Sequence, residues 1–294
     1  MPNPARPQYE PWPAPSVGPK SPPCEEIPPM SAASVRTFSS LTLSAGLLAG
    51  LLIDTAQAQP PRLDVPYVPT PEPVVAHMLE LAEIGPDDYV IDLGSGDGRI
   101  AISAVQDHGA RAAYGIDLDP ERVSEARENA EREGVADRVT FEQGDLFEKD
   151  ISQADVLTMY LLSTVNMRLR PVIFDTLKPG TRVVSHAFNL GDWEPDRSDV
   201  INGNAVFLWI VPAKVAGQWT IEADGQRYQV ELDQHFQNVV GTVDGQYGGL
   251  NGQLRGNELS FTLNDRLYVG QVNGRSIEAV PGKGAVQDWV ARRS

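Results

Sequence analysis

Cysteine is almost missing from this chain: Cys24 is the only one in 294 residues, so there can be no internal disulfide, thiolate metal site or cysteine nucleophile beyond that residue. Histidine is scarce too, with four residues and no H-x-x-x-H spacing, which argues against a zinc site. Positive charge runs short: 24 Lys and Arg face 40 Asp and Glu, a net charge of −16. That balance argues against a nucleic-acid backbone as the main partner, and none is expected. It suits a basic partner such as a lysine-bearing segment, although solubility alone accounts for it equally well. The apolar stretch Leu41 to Ile53 falls short of the roughly 18 residues a membrane-spanning helix needs. A hydrophobic content of 41% is nevertheless ample for a packed core.

The first 29 residues are crowded with proline, lack hydrophobic periodicity, and are expected to be a disordered extension. Residues 30–58 read as a secretory signal opening at Met30: Arg36 supplies positive charge, an apolar stretch follows, and Ala56-Gln57-Ala58 supplies the cleavage signature. An exported protein (periplasmic or secreted) with no stable membrane span after cleavage is the expectation, a cytoplasmic one the alternative. Residues 59–213 read as an α/β domain and residues 214–294 as a β-rich one.

The richest information lies at Val90 to Arg99, V-I-D-L-G-S-G-D-G-R. A hydrophobic strand carries an acid near its end and runs into three alternating glycines. Glycine tolerates positive φ and lets a ligand approach the backbone closely. A turn between a strand and a helix is where doubly wound sheets bind nucleotide-like ligands. The spacing G-x-G-x-G differs from the dinucleotide pattern G-x-G-x-x-G. Asp92, two residues before Gly94, favours an ammonium-bearing ligand over a pyrophosphate. Asp117 ends a second strand, where a carboxylate can accept from ribose hydroxyls. Asp145, after a third strand at Val139 to Glu142, is placed to accept from an adenine amino group. Asp117 and Asp119 also precede Pro120, so capping of the next helix is a second reading for them.

Strands at about 88–93, 112–117, 138–142, 154–160 and 181–187 alternate with helical stretches, the pattern of parallel βαβ units. A helix from Pro71 to Ala82 is expected before the first strand, with Thr70 as its N-cap. Another from Pro120 to Glu133 carries many charges and belongs on the surface. Val200 to Pro212 contains a last buried strand. Beyond Lys214 short alternating runs are separated by Asp224-Gly225, Asp244-Gly245 and Asn273-Gly274, dipeptides of tight hairpins. Six or seven strands in an antiparallel meander are expected, closed as a small barrel or folded as a sandwich.

The motifs D-L-G-S-G-D-G-R, G-I-D-L-D-P and Q-G-D-L-F together resemble class I S-adenosylmethionine-dependent methyltransferases. Tyr67-Val68-Pro69-Thr70-Pro71 and Leu177 to His186 are similar to one subgroup, which holds small bacterial methyltransferases and mitochondrial protein-lysine methyltransferases. The likeness covers about Pro66 to Ala213. It implies a Rossmann-like doubly wound, mostly parallel sheet and S-adenosyl-L-methionine as cofactor. It also implies a methyl acceptor, a protein lysine by resemblance and a small molecule otherwise. Expected cofactor contacts are Tyr67, Thr70, Asp92, Gly94, Gly96, Asp117 and Asp145.

Methyl transfer is an in-line displacement in which positioning alone supplies much of the rate, so an acid or base helps without being obligatory. Catalytic candidates lie at the carboxyl ends of the strands. Tyr160 ends the fourth strand, where related enzymes carry an acid or N-P-P-Y; here Leu157 to Leu162 has neither, which speaks against amide and nucleobase amino methylation. Tyr160 reads as pocket wall or core. His186 ends the fifth strand and reads as a proton acceptor or as a hydrogen-bonded structural histidine. Asp97 and Arg99 are placed to pair with each other or with neighbouring helices. A small acceptor would sit between the glycine loop and the segment around Trp193. A non-catalytic exported binding protein is the remaining reading, prompted by the signal and by the missing strand-four motif.

Overall fold

The computed structural model describes residues 67–282 and 284–294; the expected proline-rich extension and signal segment lie outside them. Helix α1 (Glu72–Leu81) leads into β1 (Tyr89–Leu93), α2 (Arg99–Gln106), β2 (Ala112–Asp117), α3 (Pro120–Arg132) and β3 (Val139–Gln143). Then come β4 (Val156–Met159), α4 (Ser163–Thr176), β5 (Arg182–His186), β6 (Arg197–Ile201) and β7 (Asn204–Ile210). The strands form one sheet in the order β3-β2-β1-β4-β5-β7-β6. The first five run parallel, while β7 pairs antiparallel with β5 and with β6. The Rossmann-like order reverses at β1, which places a crevice at the carboxyl ends of β1, β2 and β4.

Residues along each strand alternate between two apolar layers. Val90, Val156, Val184 and Val206 pack with α1, α2 and α3 on one face. Ile91, Leu157, Val183 and Trp209 pack with α4 on the other. Burial on both faces explains why these strands read as continuous apolar runs. Helix α3 starts as its sequence demands: the Asp119 side chain accepts from the Glu121 amide at 2.9 Å, and Pro120 opens the first turn. The N-cap of α1 is instead Pro71, with no side-chain cap, which corrects the assignment to Thr70. The Thr70 hydroxyl is drawn away to His186.

The tail forms an eight-stranded closed barrel, one or two strands more than expected, and closure settles the choice between barrel and sandwich. Its strands are β8 (Gly217–Ala223), β9 (Gln226–His235), β10 (Asn238–Val243), β11 (Gln246–Arg255), β12 (Glu258–Leu263), β13 (Arg266–Asn273), β14 (Ser276–Ala279) and β15 (Trp289–Arg293). Hairpin turns at Asp224-Gly225, Asp244-Gly245 and Asn264-Asp265 recur at even spacing, each with positive φ where the tight turn requires it. Pairing of β15 with β8 shuts the ring, leaving no free edge. Trp219, Phe261, Tyr268 and Trp289 fill the interior. Sheet and barrel belong to one compact unit.

Candidate active site

The glycine loop folds back on the neighbouring strand. The Gly94 and Ser95 amides both donate to the Ile116 carbonyl, at 2.8 and 2.9 Å, pinning the loop to the end of β2. Gly96 has φ +53°, and a Cβ there would lie 2.5 Å from the Tyr67 ring. Only glycine allows that approach. The Gly96 amide donates to Asp117 Oδ2 at 2.8 Å, and the Asp119 amide donates to Asp117 Oδ1 at 2.9 Å. Asp117 is therefore a loop organiser at the mouth of the crevice, while Asp119 is the helix cap.

Residues 67–70 form a strap over this loop. Arg99 ion-pairs with Asp97 at 2.6 Å and donates through Nη1 to the Thr70 carbonyl at 3.0 Å. Burial pushes the Asp97 pKa up, but its bonds to the Arg99 guanidinium outweigh burial and hold it below the ordinary value. The Arg122 guanidinium lies 4.9 Å from the centre of the Tyr67 ring. The strap is thus tied down by two arginines that stand on α2 and α3.

Strap and loop enclose one pocket. Tyr67, Thr70, Gly94, Gly96, Asp117, Asp145 and Tyr160 all line it. Asp145 is exposed, its Oδ1 taking the Phe147 amide at 2.9 Å. Two expected residues do not line it. Asp92 is buried beneath the loop, where the Thr158 hydroxyl donates to its Oδ1 at 2.7 Å and Oδ2 has no partner among the described residues. Burial, opposed by that hydrogen bond and reinforced by Asp117 and Asp97, raises the Asp92 pKa to about 7.

His186 is buried behind Tyr160, with ring centres 3.9 Å apart. Its Nδ1 meets the Thr70 hydroxyl at 3.2 Å and its Nε2 meets Asn204 Oδ1 at 3.3 Å. Burial lowers its pKa against the smaller upward pull of Asn204, so the ring is neutral near pH 7. With both nitrogens engaged and an aromatic ring between it and the pocket, His186 braces the wall. Trp193 is fully buried against Phe174, Trp209 and Phe236, which removes it from any acceptor cleft.

Sequence reasoning did not single out Arg122, Leu161, Phe147 or Val165, which also line the pocket. Phe147 stood inside the quoted Q-G-D-L-F motif; the others carry no local signal.

The ANTKMT methyltransferase domain family matches residues 92–197. The protein-lysine N-methyltransferase of Saccharolobus islandicus is 48% identical over 151 residues, spanning 50% of this chain and 94% of that protein. The chain belongs to the class I S-adenosylmethionine-dependent methyltransferases. The adenine nucleotide translocase lysine N-methyltransferase of Mus musculus is 37% identical over 136 residues, 46% of this chain and 58% of that one. A crystal structure of an RNA methyltransferase from Salinibacter ruber with S-adenosyl-L-homocysteine is 55% identical, covering 50% of this chain and 96% of that chain, with a TM-score of 0.49.

S-adenosyl-L-methionine is the cofactor of this methyltransferase. The residues present fit it. The Gly96 cradle would be closed by a single Cβ, and Asp92 offers an unmatched buried oxygen beneath the loop. Carboxylates at the ends of β2 and β3 offer acceptors to hydroxyl and amino groups.

Proposed function

We propose that this methyltransferase acts on lysine side chains of proteins. The observation that carries the reading is the likeness to the Saccharolobus islandicus protein-lysine N-methyltransferase over nearly all of that protein's length. The mouse relative, also named as a lysine N-methyltransferase, supports it. The net charge of −16 is compatible with a basic partner and disfavours a phosphate backbone.

In this reading Asp117 would take the ribose hydroxyls, Asp145 the adenine amino group, and Asp92 would answer the ammonium from below the loop. Tyr67 and Thr70 cover the cofactor from the strap. Bound S-adenosylmethionine supplies a methyl group on a positively charged sulfur, open to in-line displacement by an amine. Tyr160, Leu161 and Val165 line the pocket where β4 leads into α4 and form an apolar wall there. Such a wall strips water from an entering side chain and favours the neutral amine over the ammonium. Asp97 is committed to Arg99 and His186 to Thr70 and Asn204, so the acceptor gives its proton to solvent before attack. Positioning then supplies the catalysis.

The test is transfer of labelled methyl groups from S-adenosylmethionine into a protein lysate, followed by acid hydrolysis and amino-acid analysis. Methyllysine carries the label if the reading is right, and prior acetylation of the lysines abolishes incorporation. Label in any other amino acid, or in nucleic acid, overturns it.

A further inference from the structure

The barrel lies beyond the residues that the methyltransferase family matches, and nothing so far gives it a task. Its β9–β10 corner supplies one. Phe236, at that corner, holds φ +51°, a left-handed conformation that a non-glycine residue keeps only when its surroundings demand it. Its ring stacks flat on Trp193 at 5.2 Å between centres and 5° between planes, and meets Phe174 of α4 edge-on at 5.6 Å. The Arg170 guanidinium lies 5.3 Å from the same ring. Gln234 fixes the corner by donating to the Phe236 carbonyl at 2.8 Å and to the Ala213 carbonyl at 2.9 Å. Gln237, on its other side, donates to the Glu194 carbonyl at 2.9 Å.

What the corner grips is the segment that leaves β5. That segment turns sharply at Ala187, φ +65°, and Leu190 bridges Trp193. Arg170 donates to the Leu190 carbonyl at 3.0 Å and pairs with Asp192, which His235 also reaches at 3.5 Å. The upper end of the segment carries Phe188, whose ring stacks on Tyr160 at 6.3 Å. Ser185 donates to the Phe188 carbonyl at 2.6 Å, as does buried Asn166 at 3.1 Å. Tyr160 is the pocket wall, so residues 187–193 run from that wall to the barrel with both ends packed.

The geometry points to Phe236 as a positioning residue: the barrel seats residues 187–193 through its ring, and that seating holds the Phe188–Tyr160 wall for the methyl acceptor. This role rests on the acceptor entering along the β4 side, as in the lysine reading. The cofactor end of the pocket is fixed chiefly by Asp117, Gly96 and Arg99, and meets this segment through the Thr70–His186 bond at 3.2 Å, so Phe236 acts mainly on acceptor binding and little on cofactor binding.

The full-length chain is compared with Phe236→Ala and Phe236→Leu. In Phe236→Ala, amides of residues 188–193 exchange hydrogen about tenfold faster while those of residues 94–98 do not change. The acceptor KM rises about tenfold and the cofactor Kd stays within about twofold. Phe236→Leu, which keeps an apolar plug, recovers most of both effects. Unchanged exchange at 188–193 in a folded Phe236→Ala protein overturns the role, and so does a cofactor Kd that weakens in step with the acceptor KM. If Phe236→Ala does not fold, Phe236→Leu is judged by the same exchange measurement, in which a partial acceleration confined to 188–193 is required. Absence of lysine methylation by the wild-type chain would refute the lysine reading instead; the exchange arm still decides the role of Phe236.

Discussion

Replacing Asp92 with asparagine should change how the stability of the cofactor-free protein depends on pH. An unfolded chain releases the Asp92 proton near pH 4, whereas in the folded protein burial keeps it on until about pH 7. Between those values the folded state holds one more proton than the unfolded state, so wild-type stability falls as pH rises. The loss approaches about 1.4 kcal/mol per pH unit and totals about 4 kcal/mol above pH 7, then levels off. Asparagine has no proton to lose. The Thr158 hydroxyl can still donate to its Oδ1, and an amide replaces the unmatched Oδ2 at a cost that does not vary with pH. Stability of the variant minus that of the wild type should therefore climb by about 4 kcal/mol from pH 4 to pH 8. Urea denaturation followed by tryptophan fluorescence, at each pH, measures it. Parallel profiles for the two proteins would refute the claim that a charge is being held out of water there. The same variant should bind S-adenosylmethionine at least about tenfold more weakly, since a buried carboxylate that lowers stability is useful only opposite a cation.

Asp117→Ala should weaken cofactor binding by about 1–3 kcal/mol in isothermal titration, because it removes a charged acceptor and frees the Gly96 amide; an unchanged Kd would leave Asp117 as loop scaffolding only. Gly96→Ala adds a Cβ 2.5 Å from the Tyr67 ring at φ +53°, so the strap must lift and cofactor affinity should fall about tenfold or more; retention of wild-type affinity would show that the strap is dispensable. Trp209→Phe removes the 2.8 Å bond from the indole to the buried Trp193 carbonyl and should lower unfolding free energy by about 1–3 kcal/mol. A denaturation midpoint equal to wild type would contradict that.

The part of the fold nearest the cofactor was legible because its determinants are local. Glycines at 94, 96 and 98, strands that are apolar on both faces, and acids at strand ends each announce themselves within a few residues. The parallel strands accordingly fall within about two residues of their expected bounds. Edge strand β6 escaped notice because Arg197–Ile201 is polar and largely exposed, held only by pairing with β7. Thr70 looked like a cap because capping is read from its neighbours, yet its partner His186 is 116 positions away. The same distance effect hid the histidine's role: at the end of β5 it could face the crevice, and only Tyr160 stacking across from β4 shows that it does not. Hairpin dipeptides declared the tail antiparallel, but closure depends on β15 meeting β8, a pairing no local window contains. Phe236 was silent, a single aromatic in a polar turn whose meaning lies wholly in what it touches.

The ring closure also imposes an order on how this molecule can be made. Every strand of the sheet has left the ribosome well before Trp289, the first residue of the closing strand, is added. Until Phe236 follows, the flat of Trp193 lacks the partner that covers it, and a sticky aromatic surface rides on a half-finished molecule. The aromatic face beside the sheet is therefore covered only once the β9–β10 corner is made, and β15 shuts the ring after it.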